Sequence, residues 1–398
     1  MNAATRGGMS LGILLSLSVA HCLNDTTQWL VIALYPLFRD SYSLSYTQLG
    51  LLSFAYQMTA SVLQPVVGWY TDRRPSPWSL PSGLAFCLVG LVIMALAPGF
   101  HPMVIGCLIL GMGSAIFHPE SSRMAFMASG GHLGFAQSLF QLGGNAGQAL
   151  GPLLAVLFVT QWGQRSLLHF SALPLVCLVG LCFVCRWAIR QGIERPTPPA
   201  RSTEPPNLVH KSLALLFLLM TSKQLYTVSI ANFFTFYLIH KFGLSVQSSQ
   251  FHLFLFLAAV AAGTFVGGPI GDRIGRKAVI WVSILGPAPF ALMMPYMDLF
   301  WTSALATVIG FFMASSFSAI LVFAQELMPG RVGTVAGLFF GLAFGLGGLG
   351  AAVIGLLADH TDIVLVYRVC SFLPLMGLLT FFLPSDPSRR VRQGAAKG

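Results

Sequence analysis

The sequence predicts an all-α membrane protein of twelve transmembrane helices in two pseudo-symmetric six-helix bundles. Three observations lead there. Of 398 residues, 55% are hydrophobic and only 9% charged, against roughly 25% charged in a soluble domain. Apolar runs recur along the whole chain, broken by Pro, Gly or charge. The two halves also repeat each other at a constant offset. Roughly 220 apolar residues, at about 20 per crossing, supply ten to twelve spans. A soluble globule of this length needs a charged surface that these few ionic residues cannot provide.

In chain order, Arg6 ahead of Leu11 to Ala20 resembles the start of a signal peptide, but the apolar stretch continues to Phe38. A signal-peptide core covers about 7 to 15 residues, so Leu11 to Phe38 is expected to be a retained first helix. The next five run Thr47 to Tyr70, Ser79 to Ala97, Pro102 to Met127, Leu133 to Thr160 and Ser166 to Ile189, completing an N-terminal bundle over 1–189. Residues 190–211 contain ERPTPPARSTEPPN, polar and Pro-rich as a linker should be. Six further helices follow at Ser212 to His240, Ser248 to Ile270, Ala278 to Met297, Trp301 to Glu326, Thr334 to Ala358 and Val364 to Leu383. They make a second bundle over 212–398 with a short basic tail.

Counting Lys and Arg on alternate loops orients the chain, because the cytoplasmic side retains the excess. Sixteen fall on the side of the N-terminus and four on the other, which predicts both termini and the linker in the cytoplasm. The two remaining basic residues, Arg123 and Lys223, fall inside the membrane. The net charge of +10 gathers into no basic module, which argues against nucleic acid as a partner. The seven cysteines all lie in apolar segments and read as small buried hydrophobes; the CxxC at Cys182 and Cys185 has no second pair, so no metal site is expected. With no nucleophile or metal constellation, an enzyme is not expected either.

The halves align at an offset of 200: Gly68, Asp72 and Arg73 match Gly268, Asp272 and Arg273. A repeated GxxxDR in the same loop of each half fits a duplicated unit whose halves rock about a midplane site. The glycine allows close helix packing, and the carboxylate can accept from a helix N-terminus or pair with Arg, so these loops are candidate conformational latches.

Ionisable groups at mid-bilayer cost several kcal/mol unless wet or paired, which makes them the most informative residues. His21, Asn24, Asp25 and Gln28 recur at three- and four-residue spacing and share a helix face. Asp25 lies about 21 Å along the first helix, near mid-bilayer. It is read as the proton carrier, with a hydrogen-bonded structural role as the alternative. In the fourth helix His118, Glu120 and Arg123 form a second group, with His118 and Glu120 further candidates for proton coupling and Arg123 for substrate; Glu120 and Arg123, one turn apart, are otherwise a purely structural pair. Lys223 in the seventh helix either snorkels to the inner surface or offers a cation to substrate. His21, Asn24 and Gln28, with Tyr35, Gln57, Gln64, Gln141 and Asn145, are candidate substrate contacts, a polar lining suited to a hydrophilic solute.

Gly268-Pro-Ile-Gly-Asp272-Arg273-Ile-Gly275-Arg276-Lys277 matches the GxxxDRxGRK signature of the major facilitator superfamily, and the chain resembles that family over nearly its whole length. The first-half copy, Asp72-Arg73-Arg74-Pro75, lacks the GRK. Gly147-Gln-Ala-Leu-Gly151-Pro152 resembles the glycine and proline motif of the superfamily's drug and proton antiporters; the other reading is a packing face with a proline bend. His21-Cys-Leu-Asn24-Asp25-Thr-Thr-Gln28, Tyr35-Pro36, Gln64-Pro65, Phe117-His118-Pro119-Glu120-Ser-Ser-Arg123 and Gln137-Ser-Leu-Phe-Gln141-Leu-Gly-Gly-Asn145 resemble the superfamily's phosphonate-antibiotic exporters. That resemblance implies export of a small anionic, fosmidomycin-like compound in exchange for protons, from a bacterial inner membrane, by a monomer with no cofactor beyond the proton gradient. Proton symport importing an anionic metabolite is the alternative.

Overall fold

The computed structural model describes residues 8–44, 46–159, 162–192 and 205–385. Much of the expected linker and the basic tail therefore lie outside the described residues. What is described is helical, in twelve successive rods, with no strand among these residues. The rods are α1 (Leu11–Ala33) continued by α2 (Tyr35–Tyr42), α3 (Tyr46–Arg73), α4 (Ser79–Leu96), α5 (Phe100–Ala128), α6 (Leu133–Leu154), and a 3-10 turn with α7 (Leu167–Phe170) and α8 (Ala172–Arg190). Then come α9 (Pro206–Phe242), α10 (Val246–Ile274), α11 (Arg276–Leu285) with α12 (Ala288–Met293), α13 (Leu299–Leu327), α14 (Val332–His360), and α15 (Ile363–Cys370) with a 3-10 stretch over Leu373–Phe382.

Several rods that the sequence predicts as continuous are broken. The first breaks at Leu34 because Pro36 has no N–H to donate back into the preceding turn. The fifth leaves α6 through a π turn at Ala155–Val159. The last passes into 3-10 geometry beside Pro374. Among the described residues nine helices are long and apolar enough to cross a membrane. The rods that fall outside those nine, α1, α3 and α6, are the ones that carry the polar stripes, so polar content is what lowers their hydropathy.

By its contacts the chain divides into two compact units, residues 1–200 with 330–341 and residues 201–329 with 342–398. The start of α14 therefore groups with the first unit. Within the first unit α1 packs on α6, α3 and α4 both pack on α5, and α8 lies against α1 and α4. Within the second, α10 and α11 both pack on α13, and the 3-10 stretch over Leu373–Phe382 lies against α9 and α11. The pairings of α3 and α4 with α5 thus recur as those of α10 and α11 with α13, as the internal repeat predicts.

Each unit has its own apolar core. Leu30, Phe38, Leu91, Met94, Met103 and Leu110 build the first; Tyr226, Phe234, Tyr237, Phe256, Ile309 and Tyr367 build the second. In lipid the helices gain no hydrophobic drive for association, so close backbone approach does that work. Gly83, Gly90, Gly106 and Gly113 let α4 and α5 touch along their length, and a Cβ on Gly90 would lie 2.7 Å from Leu110 N and 2.9 Å from Gly106 O. Both obstacles are backbone and cannot swing aside. Gly90→Val is expected to cost about 1–3 kcal/mol and lower the unfolding temperature in detergent, while Gly50→Ala, where the added methyl meets nothing within 4 Å, leaves it unchanged or slightly higher.

Candidate functional site

The polar face of α1 is buried inside the first unit. Asp25 is 2% exposed, and His21, Asn24 and Gln28 are buried with it. Asp25 Oδ2 lies 3.5 Å from His21 Nε2, one turn earlier on α1, and Oδ1 lies 3.4 Å from His118 Nε2 on α5. Two amides add to these contacts: Asn24 Nδ2 donates to Oδ1 at 3.1 Å and Gln148 Nε2 reaches Oδ2 at 3.5 Å. The His21 ring stacks on Phe140 with centroids 4.1 Å apart and stands edge-on to the His118 ring at 5.0 Å. A second strand of hydrogen bonds runs outward from His118. Ser114 Oγ lies 3.2 Å from His118 Nδ1 and donates to Gln28 Oε1 at 3.3 Å, and Tyr56 Oη donates to the same amide oxygen.

This arrangement corrects the grouping that spacing suggests. His118 belongs with Asp25 and His21, away from Glu120 and Arg123, because two residues along a helix turn it by about 200° and aim His118 and Glu120 in opposite directions. His21 stands at i−4 from Asp25, one turn earlier on the same helix.

The glycines of α6 explain how the cluster fits. A Cβ on Gly144 would strike the His21 ring, one on Gly147 would strike the Cys22 carbonyl and come within 2.9 Å of Asp25 Cβ, and one on Gly151 would meet Trp29 and Leu30. Gly147 and Gly151 form a packing face against α1 at the level of Asp25; the side chain of Pro152 lies outside the described residues. Sequence reasoning singled out this motif without its partner. The constellation of α1 with Gly144 and Gly147 becomes visible only when α6 lies against it.

Glu120 and Arg123 form a closed pair. Arg123 Nε donates to Oε1 at 3.0 Å and Nη2 to Oε2 at 2.8 Å, and Ser79 Oγ at the start of α4 donates to Oε2 at 2.9 Å. Glu120 and Arg123 are 0% and 3% exposed, so the guanidinium is committed to the carboxylate on its own helix. Ser79 went unremarked in the sequence, where nothing marks it out.

The signature loops differ in use. Asp72 accepts from Gly333 N at 2.9 Å, Thr334 N at 2.7 Å and Thr334 Oγ1 at 2.6 Å, so it caps the first turn of α14. Gly68 permits this, because a Cβ there would collide with the Gly333 carbonyl. Arg73 points away and stacks over Trp69 at 4.0 Å. In the second unit Arg276 is the buried element: Nη2 pairs with Asp272 at 2.9 Å and with Glu326 at 3.4 Å, while Nη1 donates to Gly271 O at 2.6 Å. Gly275 turns the chain there with φ +100. Gly268 lies one turn before Asp272 on α10, and Arg273 is exposed. Lys277 donates to the carbonyls of Phe381 and Leu383 and so caps the last helical rod, a tether the signature alone does not disclose.

Lys223 lies midway along α9. The helix begins at Pro206, leaving Lys223 about 25 Å from its N-terminus; the residue is buried with Nζ 4.9 Å from the Phe317 ring centroid. The amide stripes are partly internal stitching. Gln64 Nε2 donates to Ala60 O at 2.6 Å, and Gln137 exchanges two bonds with Ser122 across α5 and α6. Tyr35, Gln57, Gln141 and Asn145 are half-buried.

Two buried polar clusters on a duplicated helical scaffold, with lipid-facing apolar surfaces elsewhere, are the fabric of a membrane carrier. The model of the Major Facilitator Superfamily matches residues 17–348 and 217–398, and the chain belongs to that family: it is a multi-pass membrane transporter of small molecules and not an enzyme. It is 52% identical over 387 residues to the fosmidomycin resistance protein of Escherichia coli (strain K12), covering 96% of this chain and 95% of that protein. It is 40% identical over 386 residues to the MFS-type transporter YfnC of Bacillus subtilis (strain 168), covering 95% and 94%. Among solved structures it resembles a bacterial homologue of the iron transporter ferroportin in its outward-facing state (TM-score 0.75, 14% identity, 93% and 98% covered). It also resembles the transporter FucP in its outward conformation (TM-score 0.73, 13% identity, 94% and 98% covered).

The Glu120 pair is open to a direct test. Glu120→Gln strands a buried guanidinium and is expected to cost about 3–5 kcal/mol, seen as a sharp fall in folded yield and unfolding temperature. Removing both charges in E120Q/R123Q should recover part of that loss, and a double variant no better than the single one would show that the pair is not what holds this end of α5.

Proposed function

We propose that the protein is a proton-driven exporter of a small anionic compound of fosmidomycin-like phosphonate chemistry, working by alternating access in a bacterial inner membrane. On this reading it acts as a monomer, with both termini in the cytoplasm and no cofactor beyond the proton gradient. The observation that carries it is the buried carboxylate of Asp25 flanked by two imidazoles, because such a group is retained inside a membrane helix when it binds something that comes and goes. The 52% identity to the fosmidomycin resistance protein supports the substrate class.

The chemistry is consistent in sign. A phosphonate needs charge-assisted donors, and Lys223, which when protonated is one, has its amine over an aromatic ring rather than against a carboxylate among the described residues. Arg123 is held by Glu120 on its own helix and reaches an anion only when that pair opens. An interior-negative potential drives anions outward by about 2.3 kcal/mol per charge per 100 mV, and proton entry adds to that drive. In the proposed cycle a proton taken up at the Asp25 site or at Glu120 from outside resets the carrier. The latch at Asp72 and the cluster at Asp272, Arg276 and Glu326 hold one end closed meanwhile.

Cells expressing the protein should accumulate less fosmidomycin than cells without it, and an uncoupler should abolish the difference. Asp25→Asn should remove proton-driven transport by at least about tenfold while phosphonate binding to the purified protein persists. Raised accumulation in expressing cells would point to import by symport and overturn the export reading.

A further inference from the structure

The hydrogen bonds around Asp25 determine where protons can sit. His21 Nδ1 lies 2.8 Å from the Phe140 carbonyl and His118 Nδ1 lies 2.9 Å from the Ser114 carbonyl. A carbonyl oxygen only accepts, so each Nδ1 carries a hydrogen and donates it. The Ser114 hydroxyl hydrogen goes to Gln28 Oε1, which leaves His118 Nδ1–H as the donor in that contact too. With Nδ1 protonated in both rings, a neutral imidazole presents a bare lone pair at Nε2. Each Nε2 faces a different oxygen of the same carboxylate, at 3.5 and 3.4 Å.

Three loadings can be compared. With no proton on either Nε2, two lone pairs oppose a carboxylate, which is repulsive on both sides. A single proton satisfies one side only, whether it sits on an imidazole or on the carboxyl, and the other Nε2 still faces an oxygen without a hydrogen between them. With a proton on each Nε2, each ring sets a positive N–H within 3.5 Å of a different Asp25 oxygen, and both contacts become ionic attraction.

Two further observations favour the imidazoles over the carboxyl as the seat of the protons. Asn24 Nδ2 and Gln148 Nε2 donate to Asp25, and donors of this kind stabilise the anion. The Asn24 amide is oriented for this by Cys87 Sγ, which donates to its Oδ1 at 3.3 Å. In water an imidazole also holds a proton more tightly than an aspartate by roughly two to three pKa units.

We propose that His21 and His118 are the proton-bearing residues of this transporter, each carrying one exchangeable proton on Nε2, with Asp25 a permanent carboxylate between them, so that the site loads two protons. This inference rests on the proton-coupled reading above. Titratable groups that face the site from the packed elements are Cys22 on α1, Tyr56 on α3, Cys87 on α4 and Cys177 on α8, all neutral in their ordinary forms near pH 7. Glu120 and Arg123, on the opposite face of α5, neutralise each other. Loss of the His118 proton turns a contact between α5 and α1 from attractive to repulsive, and loss of the His21 proton does the same within α1, between residues one turn apart.

The test uses the full-length protein in lipid nanodiscs with 15N-labelled histidine, followed by NMR from about pH 5 to about pH 9 and paired with infrared difference spectra over the same range. Nine histidines are present, and His21→Gln and His118→Gln assign the two signals. The expected result is two buried imidazoles protonated on both nitrogens at low pH that convert to the Nδ1–H form at high pH. No protonated-carboxyl band should be removed by Asp25→Asn. In a proton-release measurement between the two pH limits, each single histidine variant should halve the release assigned to this site. A carboxyl band that D25N removes, or the Nε2–H tautomer at high pH, would overturn the assignment; so would release unchanged in both variants. Because the spectra need no transport, they are separable from the parent reading: transport insensitive to uncoupler with the expected spectra would sink proton coupling and leave the protonation pattern standing.

Discussion

A carboxylate inside a membrane-spanning helix is costly unless its charge is met at close range, and Asp25 is met on every side that the first unit offers. Two imidazoles, two amides and the glycine face of α6 converge on it. The rest of the first unit is arranged around that requirement. Gly144 and Gly147 exist as glycines because a Cβ at either would occupy the space of the His21 ring or the Asp25 stem. Ser114 and Gln28 hold His118 in one tautomer. The carbonyls of Phe140 and Ser114 do the same work from the backbone, which no point substitution removes.

The second buried charge system is of a different kind. Glu120 and Arg123 satisfy each other with two short bonds and gain a third through Ser79, so the pair is internally neutral and tied to the start of α4. A pair of this type stabilises one geometry while it is intact and is severely destabilising when half of it is removed. The contrast with Asp25 is instructive: one carboxylate has a permanent cation on its own helix, while the other has partners whose charge depends on protonation. On the proposed mechanism the Asp25 site responds to a proton gradient through its imidazole partners, while the Glu120 pair must open to respond at all.

The two signature loops show how a repeated motif diverges after duplication. Asp72 serves as a helix cap for α14, accepting two backbone hydrogens and a hydroxyl. In the other copy the retained Arg276 draws Asp272 and Glu326 into an ionic cluster, and Lys277 caps the final rod. The copy that lost its GRK therefore depends on hydrogen bonds, and the copy that kept it adds salt bridges. The Arg following each Asp is exposed in both, so the shared dipeptide does less alike than its spelling suggests.

The amino-acid sequence by itself determined the class of architecture: twelve membrane helices, their approximate bounds and the duplication. These follow from local quantities, apolar run length and residue spacing, that need no knowledge of neighbours. It also marked Asp25, His118, Glu120, Arg123 and Lys223, because an ionisable residue in an apolar run stands out wherever it points. Only the tertiary structure decided which of them meet. Helix rotation separates His118 from Glu120, packing of α6 on α1 gives the glycines their purpose, and the second unit buries Lys223 beside Phe317. Partnership between side chains on different helices depends on the angle each helix presents to the next, and a one-dimensional pattern carries no record of that angle.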